Sequence, residues 1–575
     1  MAKCYLPPVK NAPSLWQDLK GRRVFRALIA WGVAAFAILQ IIEPVMHAWH
    51  WPDAVLTWVV ALLAVGFPLV GGLAWVLDAD GGTRDAGPVR PRLALLLVAV
   101  GVAAPAPGLI WYFGFRGRSA AAVGPSIAVL PLADMSAQKD QEYFGDGLAE
   151  ELLNLLAQVP GLHVAGRTSS FAFKGKSDDL RTIGEKLNVA TILEGSVRKE
   201  GDRIRINTQL INAADGYHLW SESYDRRVTD LFAVQDEIAT AVVTALRVRL
   251  LPTQTHGQSR TTNVEAHNQY LLGRQFSNQG NADGYRRAEE AFEKTLALDS
   301  GYAPAWAALA QMEAHSGDYA GSSAEVARMQ DRALEAAEKA VALAPDLAEA
   351  RLARGTLRAI VQRDFDGARA DLTRALALNP ENPETLRGVV TWTLLPLGKL
   401  KEATAILRKV IAIDPINAEG WTLLGSALRD SGQFGLAREA LVRALEIAPG
   451  ADFSAMALCA VDLLTAQPAQ ALARSMGVGT VAGLYCTALA QHGLGHEPEA
   501  TAALEAMIAQ YGQGWAYQVA QIYAWQGARD RAFEWLDRAY AQRDPGLFEI
   551  RDHLLLQSLR ADPRFAALLR KLKLE

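Results

Sequence analysis

A chain of 575 residues is too long for one hydrophobic core, since cores stop growing at roughly 250–300 residues, so several domains are expected. Its 58 Lys and Arg against 62 Asp and Glu leave a formal charge of −4, without the basic excess of a nucleic-acid binder, and no nucleic-acid partner is expected. The three cysteines, Cys4, Cys459 and Cys486, form no Cys-x-x-Cys or His/Cys cluster, so no zinc site is expected. Cys459 and Cys486 would either pair in an oxidising compartment or serve as small buried helix residues.

Three apolar runs come first: Ala27–Ile42, Ala54–Leu77 and Leu93–Phe115. A hydrocarbon core needs about 20 apolar residues, and the first run reaches that length if Val24–Arg26 joins it with Arg26 snorkelling. No small-residue cleavage site follows Ile42, which argues against a signal peptide. Lys3, Lys10, Lys20, Arg22, Arg23 and Arg26, with Arg84, Arg90 and Arg92 of the second loop, stand against Arg116 and Arg118 after the third run. By the positive-inside rule this predicts three spans, a cytoplasmic segment 1–26, and everything after residue 118 outside the cytoplasm. For a bacterial chain that means a multi-pass inner-membrane protein with periplasmic C-terminal domains.

After the spacer "GRSAAAVG" the pattern changes. Ile127–Leu132 is a short continuous apolar run, as in a strand covered on both faces. Gly147–Gln158 carries Leu148, Leu152, Leu155 and Leu156 on one helical face and stops before Pro160. "LHVA" reads as a strand and "SDDLRTIGEKLN" as a helix with Ser177 as N-cap. Three strands follow, turning at Glu200-Gly201-Asp202 and at Asp215-Gly216, and a helix over Val228–Leu250 closes the unit. The order β-α-β-α-β-β-β-α predicts an α/β module with a mixed sheet over 125–251.

The stretches "SIAVLPLADMSAQKDQEYFGDGLAEELLNLL", "VAGRTSSFAFKGK", "ILEGSVRKEGDRIRINTQLINAADGYHLWSESYDR" and "LFAVQDEIA" resemble bacterial inner-membrane tetratricopeptide-repeat proteins that carry a domain similar to the N-terminal domain of TolB and to FlgO. "WQDLKGRRVFRALIAWGVAAFAILQ" and "GFPLVGGLAWVLD" resemble the membrane unit of that group. Some relatives carry a cyclase or winged-helix domain on the cytoplasmic side. Here about 26 residues precede the first run, too few to fold as either. The resemblance implies envelope context and no inherited catalytic or transcriptional activity.

Candidate chemistry in the module is thin. Gly175-Lys176-Ser177 ends like a phosphate loop, but Ser170 stands where the first glycine belongs and bulky phenylalanines fill the loop; a solvated turn ending in a helix cap is the reading favoured. Asp134, Asp146, Glu150 and Glu151 gather after the first strand, where paired carboxylates could do acid–base work or hold a metal. Acids in a first helical turn also suit the helix dipole, with Asp146 as N-cap, and that structural role is expected. His163 and His218 are expected as satisfied strand histidines. No GxSxG elbow or HExxH helix occurs. The expectation is no catalytic residue, no cofactor-binding residue, no metal ligand and no cofactor.

Past a polar linker, residues 252–265, the chain turns helical and periodic over 266–575. "INAEGWTLLGSALRDSGQFGLAREALVRALEIAP" shows the tetratricopeptide pattern: Trp421, Leu424 and Gly425 in a first helix, Ala437, Leu441 and Ala444 in a second, Pro449 as its stop. Pro345, Pro380, Pro415 and Pro449 recur at spacings of 35, 35 and 34. Ala288 and Phe292 mark an earlier unit. Trp306 and Leu309 open the next, which carries an insertion at "GDYAGSSAEV". Ala500 and Leu504, then Tyr523, Ala532 and Leu536, mark later ones. Counting the degenerate part Ala451–Met476, about six or seven pairs plus a C-terminal cap at "DPGLFEIRDHLLLQSLRADPRF" are expected. Such stacks offer a concave surface to other proteins. The fold class expected is thus multi-domain: three N-terminal transmembrane helices at 27–118, an α/β domain and an all-α superhelix. The function expected is a non-enzymatic, membrane-anchored scaffold, or else a relay coupling periplasmic binding to a cytoplasmic effector such as a cyclase or regulator.

Overall fold

The computed structural model describes residues 125–176, 178–246, 260–279, 281–316, 323–475 and 480–574, with residues 28, 30–36, 63, 66, 67 and 70 nearer the N-terminus. The chain divides into two units, Met1–Ala121 and Ala122–Glu575. In the first, the Trp31 indole N–H donates to the Leu63 carbonyl at 3.3 Å.

The second unit begins with β1 (Ser126–Val129), whose side chains are buried on both faces. Ile127 and Val129 point into the core under α1 (Glu142–Ala157) and α4 (Leu231–Ala245), while Ala128 and Leu130 join Ile183 and Leu187 of α3 (Leu180–Leu187) on the other side. That alternation is what a two-sided strand requires. β3 (His163–Val164) and β4 (Thr191–Glu200) run parallel to β1 on either side. β5 (Arg203–Asn212) and β6 (His218–Arg227) add antiparallel ladders, and β2 (Ala133–Asp134) pairs with β4. The order β3-β1-β4-β5-β6 makes a mixed sheet. Gly201 takes φ +61° in the tight β4–β5 turn, where a side chain would strain the backbone.

Three helices differ from expectation at their ends. α1 starts at Glu142, one turn ahead of Gly147, so Asp146 lies inside the helix instead of capping it. α3 starts at Leu180 and is capped by Asp179, which accepts from the Arg181 N–H; Ser177, expected in that role, lies outside the described residues. The last helix of the module ends at Ala245, and 247–250 lie outside the described residues.

From Val264 onward, helices pair consecutively. Among the described residues there are eight hairpins: α5 (Val264–Ser277) with α6 (Ala282–Leu298), α7 (Ala303–Ser316) with α8 (Ser323–Leu343), α9 (Ala348–Leu357) with α10 (Phe365–Leu378), α11 (Pro383–Val389) with α12 (Leu400–Ile413), α13 (Ala418–Asp430) with α14 (Phe434–Ile447), α15 (Asp452–Leu464) with α16 (Pro468–Ser475), α17 (Val481–Gly493) with α18 (Glu497–Tyr511), and α19 (Ala516–Trp525) with α20 (Arg529–Ala541). The repeat period alone gives six or seven. α16, at eight residues, is the shortest second helix among them. Two 3₁₀ turns, Pro545–Glu549 and Leu554–Leu559, and α21 (Pro563–Lys571) finish the chain.

α9 and α11 each end in a π-turn, Arg358–Gln362 and Val390–Leu394. Such wide turns re-aim the side chains that follow. Arg363, just past the first, donates to the Tyr540 carbonyl at 2.8 Å and lies 4.0 Å over its ring. Arg543 pairs with Asp331 of α8 at 2.7 Å. The eighth hairpin therefore returns to touch the second and third.

The expectation of three transmembrane helices is corrected. Among the described residues no helix is long and apolar enough to cross a membrane. The helical stretch described at 30–36 spans about 10 Å at 1.5 Å per residue, against a hydrocarbon core of about 30 Å. The rest of the runs Ala27–Ile42, Ala54–Leu77 and Leu93–Phe115 falls almost wholly outside the described residues. The membrane-embedded N-terminus, and with it the inner-membrane, cytoplasmic and periplasmic placements, is withdrawn on that finding.

Candidate interaction surface

The fifth hairpin shows why the repeat uses the residues it does. A Cβ on Gly425 would meet Leu441 Cγ at 2.4 Å, so only glycine lets α13 approach α14. Ala437, Leu441 and Ala444 are fully buried along the facing side. The Trp421 indole donates to the Pro415 carbonyl at 3.0 Å, tying the helix start to the preceding loop. The second hairpin repeats that contact between Trp306 and the Ser300 carbonyl at 2.9 Å, and in the third an arginine, Arg351, does so to Pro345 at 2.8 Å. Gly273 against Phe292 and Gly355 against Leu372 repeat the glycine contact. The spacing of Gly273 and Gly355 to their partners is close to that of Gly425, a signal present in the sequence that the repeat period alone does not use.

The module docks on this array through α1. Glu150 is buried and accepts from Arg167 at 2.9 Å and from Arg274 of α5. Burial works against its charge, but the two guanidinium groups hold its carboxyl below the usual range. Glu151, one residue on, accepts from Gln235 of α4 and stands 3.6 Å from His267 Nε2 of α5. Burial pushes Glu151 up to about 7 and His267 down to about 4, the latter helped by Arg260. Further along, Asp414 accepts from the Ser169 N–H at 2.8 Å, and the Ser169 hydroxyl accepts from the Ile416 N–H at 2.8 Å. His163 Nδ1 lies 3.4 Å from Glu381.

The acids singled out in the sequence are thus split among separate tasks. Asp134 shapes its own loop, accepting from the Ser136 and Gln141 N–H groups at 2.8 Å each. Burial pushes its carboxyl up, but those bonds and Lys139 bring it below the ordinary value. Asp146 pairs with Lys174 at 2.5 Å, and Lys174 also reaches Glu142 at 2.6 Å. Among the described residues no three His, Cys, Asp or Glu side chains are grouped to hold a metal ion.

Ser170 lies in a short helix, α2 (Arg167–Phe171), with its N–H bonded to the Gly166 carbonyl. The N–H groups of Ala172, Lys174 and Lys176 are likewise spent on their own turn, leaving none of these to cradle a phosphate. Gly175 turns there with φ +69°. His218 is exposed at the start of β6, which has no partner strand on that side among the described residues. Cys459 and Cys486 are buried free thiols on α15 and α17, and Cys4 lies outside the described residues.

A second buried polar cluster, which the sequence does not disclose, joins the array to its C-terminal cap. Arg429 of α13 is 2 % exposed, donates to both Asp430 oxygens at 2.8 Å and reaches Glu549 at 3.3 Å. Burial opposes its charge, yet the two carboxylates hold its guanidinium above the ordinary value, while burial pushes Asp430 and Glu549 up. Phe548 meets Trp392 edge-on at 5.7 Å, and Ile550, Leu555, Leu556 and Leu559 are buried in the last core. The sides of α11, α13 and α19 that face the cap are therefore already covered. At the starts of α15 and α19, Phe453 is 61 % exposed and stacks at 5.1 Å on Trp515.

A tetratricopeptide-repeat sequence profile matches residues 418–450, the fifth hairpin. A protein of Rhizobium meliloti strain 1021 named putative adenylate cyclase 3 is 44 % identical over 187 residues, covering 32 % of each chain. The chain thus spans about a third of that relative's length. Among solved structures, a thermophilic tetratricopeptide-repeat protein of Thermus thermophilus is 20 % identical over 34 % of this chain and 99 % of its own, with a TM-score of 0.29. PilW, described as a widely conserved type IV pilus biogenesis factor, is 16 % identical over 45 % of this chain and 99 % of its own, also at 0.29. The profile match marks 418–450 as a tetratricopeptide repeat, and the helix hairpins on either side share its geometry.

Proposed function

We propose that the chain is a non-enzymatic scaffold in which module and array act as one body that binds another polypeptide. The observation that carries this reading is the run of eight consecutive helix hairpins, in three of which a glycine admits the facing helix. With the cap covering the facing sides of α11, α13 and α19, we place the partner at exposed Phe453, beside half-buried Trp515. The likeness of 125–251 to the N-terminal domain of TolB and to FlgO supports a binding role for the module. A photo-crosslinking residue placed at position 453 in cells should yield an adduct with one polypeptide, lost on Trp515→Ala. Absence of any polypeptide adduct at 453 and at exposed Leu436 would sink the reading.

The 44 % identity to a putative adenylate cyclase favours a second reading, in which the shared part regulates an effector such as a cyclase or regulator. Under it, an adduct at position 453 would contain a cyclase or transcriptional regulator.

A further inference from the structure

The two edges of the sheet are finished differently. β3 is two residues long, a blunted edge, whereas β6 runs ten residues from His218 to Arg227. Among the described residues no strand pairs with the outer side of β6. Alternate N–H and C=O groups of such a strand point outward and can accept another strand. β6 contains no proline and no lysine. Its ladder with β5 runs in register from Arg203↔Arg227 to Leu210↔Trp220, with a shift only at the far end. Leu219, Ser221, Glu222, Ser223, Arg226 and Arg227 are exposed.

We propose that β6 pairs antiparallel with β6 of a second copy, across a two-fold axis at Tyr224, so that two sheets become one. The charges select the occupant. Glu222 and Arg226 stand two residues before and two after Tyr224, on one face of the strand. Antiparallel pairing about Tyr224 therefore sets Glu222 of each copy opposite Arg226 of the other, and Ser223 opposite Asp225. An axis at Glu222 or at Arg226 would set like charges against each other, which is destabilising. Asp225, near the axis, is already neutralised by Arg203 at 2.5 Å and Arg205 at 2.8 Å. The remaining partners of the pair are local: the hydroxyl of buried Tyr224 donates to Glu222 at 3.1 Å, and exposed Arg226 meets Glu237 at 3.3 Å. Such a contact is isologous and closes at two copies.

Sedimentation of the full chain over a concentration series tests this. A monomer–dimer equilibrium is expected. Glu222→Arg and Arg226→Glu should each weaken it about tenfold by opposing like charges, with thermal unfolding of the monomer unchanged. The double variant should recover wild-type association, and an equimolar mixture of the two single variants, labelled with different fluorophores, should form mixed dimers. A chain monomeric at every concentration, a dimer indifferent to the swaps, or a strand from another protein seated on β6 would overturn the proposal.

Discussion

The module–array clasp and the array–cap junction solve one electrostatic problem in opposite ways. In the clasp a single carboxylate, Glu150, sits between two cations, Arg167 and Arg274. At the cap a single cation, Arg429, sits between two acids, Asp430 and Glu549. A central acid with surplus cations stays ionised, as Glu150 does, whereas acids sharing one cation in a buried site are driven towards their neutral forms. The central group is therefore the one whose loss strands the others, and its exposure sets the size of the loss.

Arg429→Met should be the most damaging change, because it leaves two buried acids without a cation. A destabilisation of about 3–5 kcal/mol is expected, read by calorimetry, with protease cleavage appearing after Tyr540 as the cap loosens. Cleavage elsewhere first would break the comparison. Glu150→Gln should follow at about 2–3 kcal/mol, since Arg167 and Arg274 are each 24 % exposed and regain some water. Its first effect should be separation of module from array, visible as faster hydrogen exchange in α1 and α5. If it equals Arg429→Met, exposure is not the deciding variable.

The smallest effect sharpens the same contrast. Burial outweighs the fields of Arg260 and Arg274 at Glu151, and its carboxyl rises from 4.5 to about 7 on folding. A raised folded value means its contribution is fully present below pH 4.5 and is lost as pH climbs from there through 7. His267, pushed down to about 4, contributes the opposite slope between pH 4 and 6.5, so the two offset in the parent chain, and Glu151→Gln should leave a stability that rises with pH more steeply than the parent's. An unchanged slope in the variant would assign the effect elsewhere.

Local patterns are legible where one residue type answers one geometric need. The alternation of Ile204, Ile206 and Leu210, the glycine turns and the Trp421–Pro449 repeat all translate directly into strands, hairpin turns and helix pairs. What escapes is set by residues far apart in sequence. Nothing near Glu150 announces Arg274, 124 positions on, and nothing near Arg429 announces Glu549, 120 positions on. For that reason the acidic run after β1 reads as dipole-serving helix-start residues, when two of its members grip the array. Asp146 misleads because α1 begins a turn earlier than its leucine face suggests. The apolar runs before residue 120 lie almost wholly outside the described residues, and among those described no helix is long and apolar enough to cross a membrane.

The contacts of Arg363 with Tyr540 and of Arg543 with Asp331 join units that lie five and six repeats apart. Most solenoids grow or shrink by whole units without objection, since each repeat answers only to its neighbours. Here the circuit is closed like a belt with a buckle. Duplicating or deleting one unit between the second hairpin and the eighth would carry the buckle past its hole, so the repeat number in that arc is fixed by geometry.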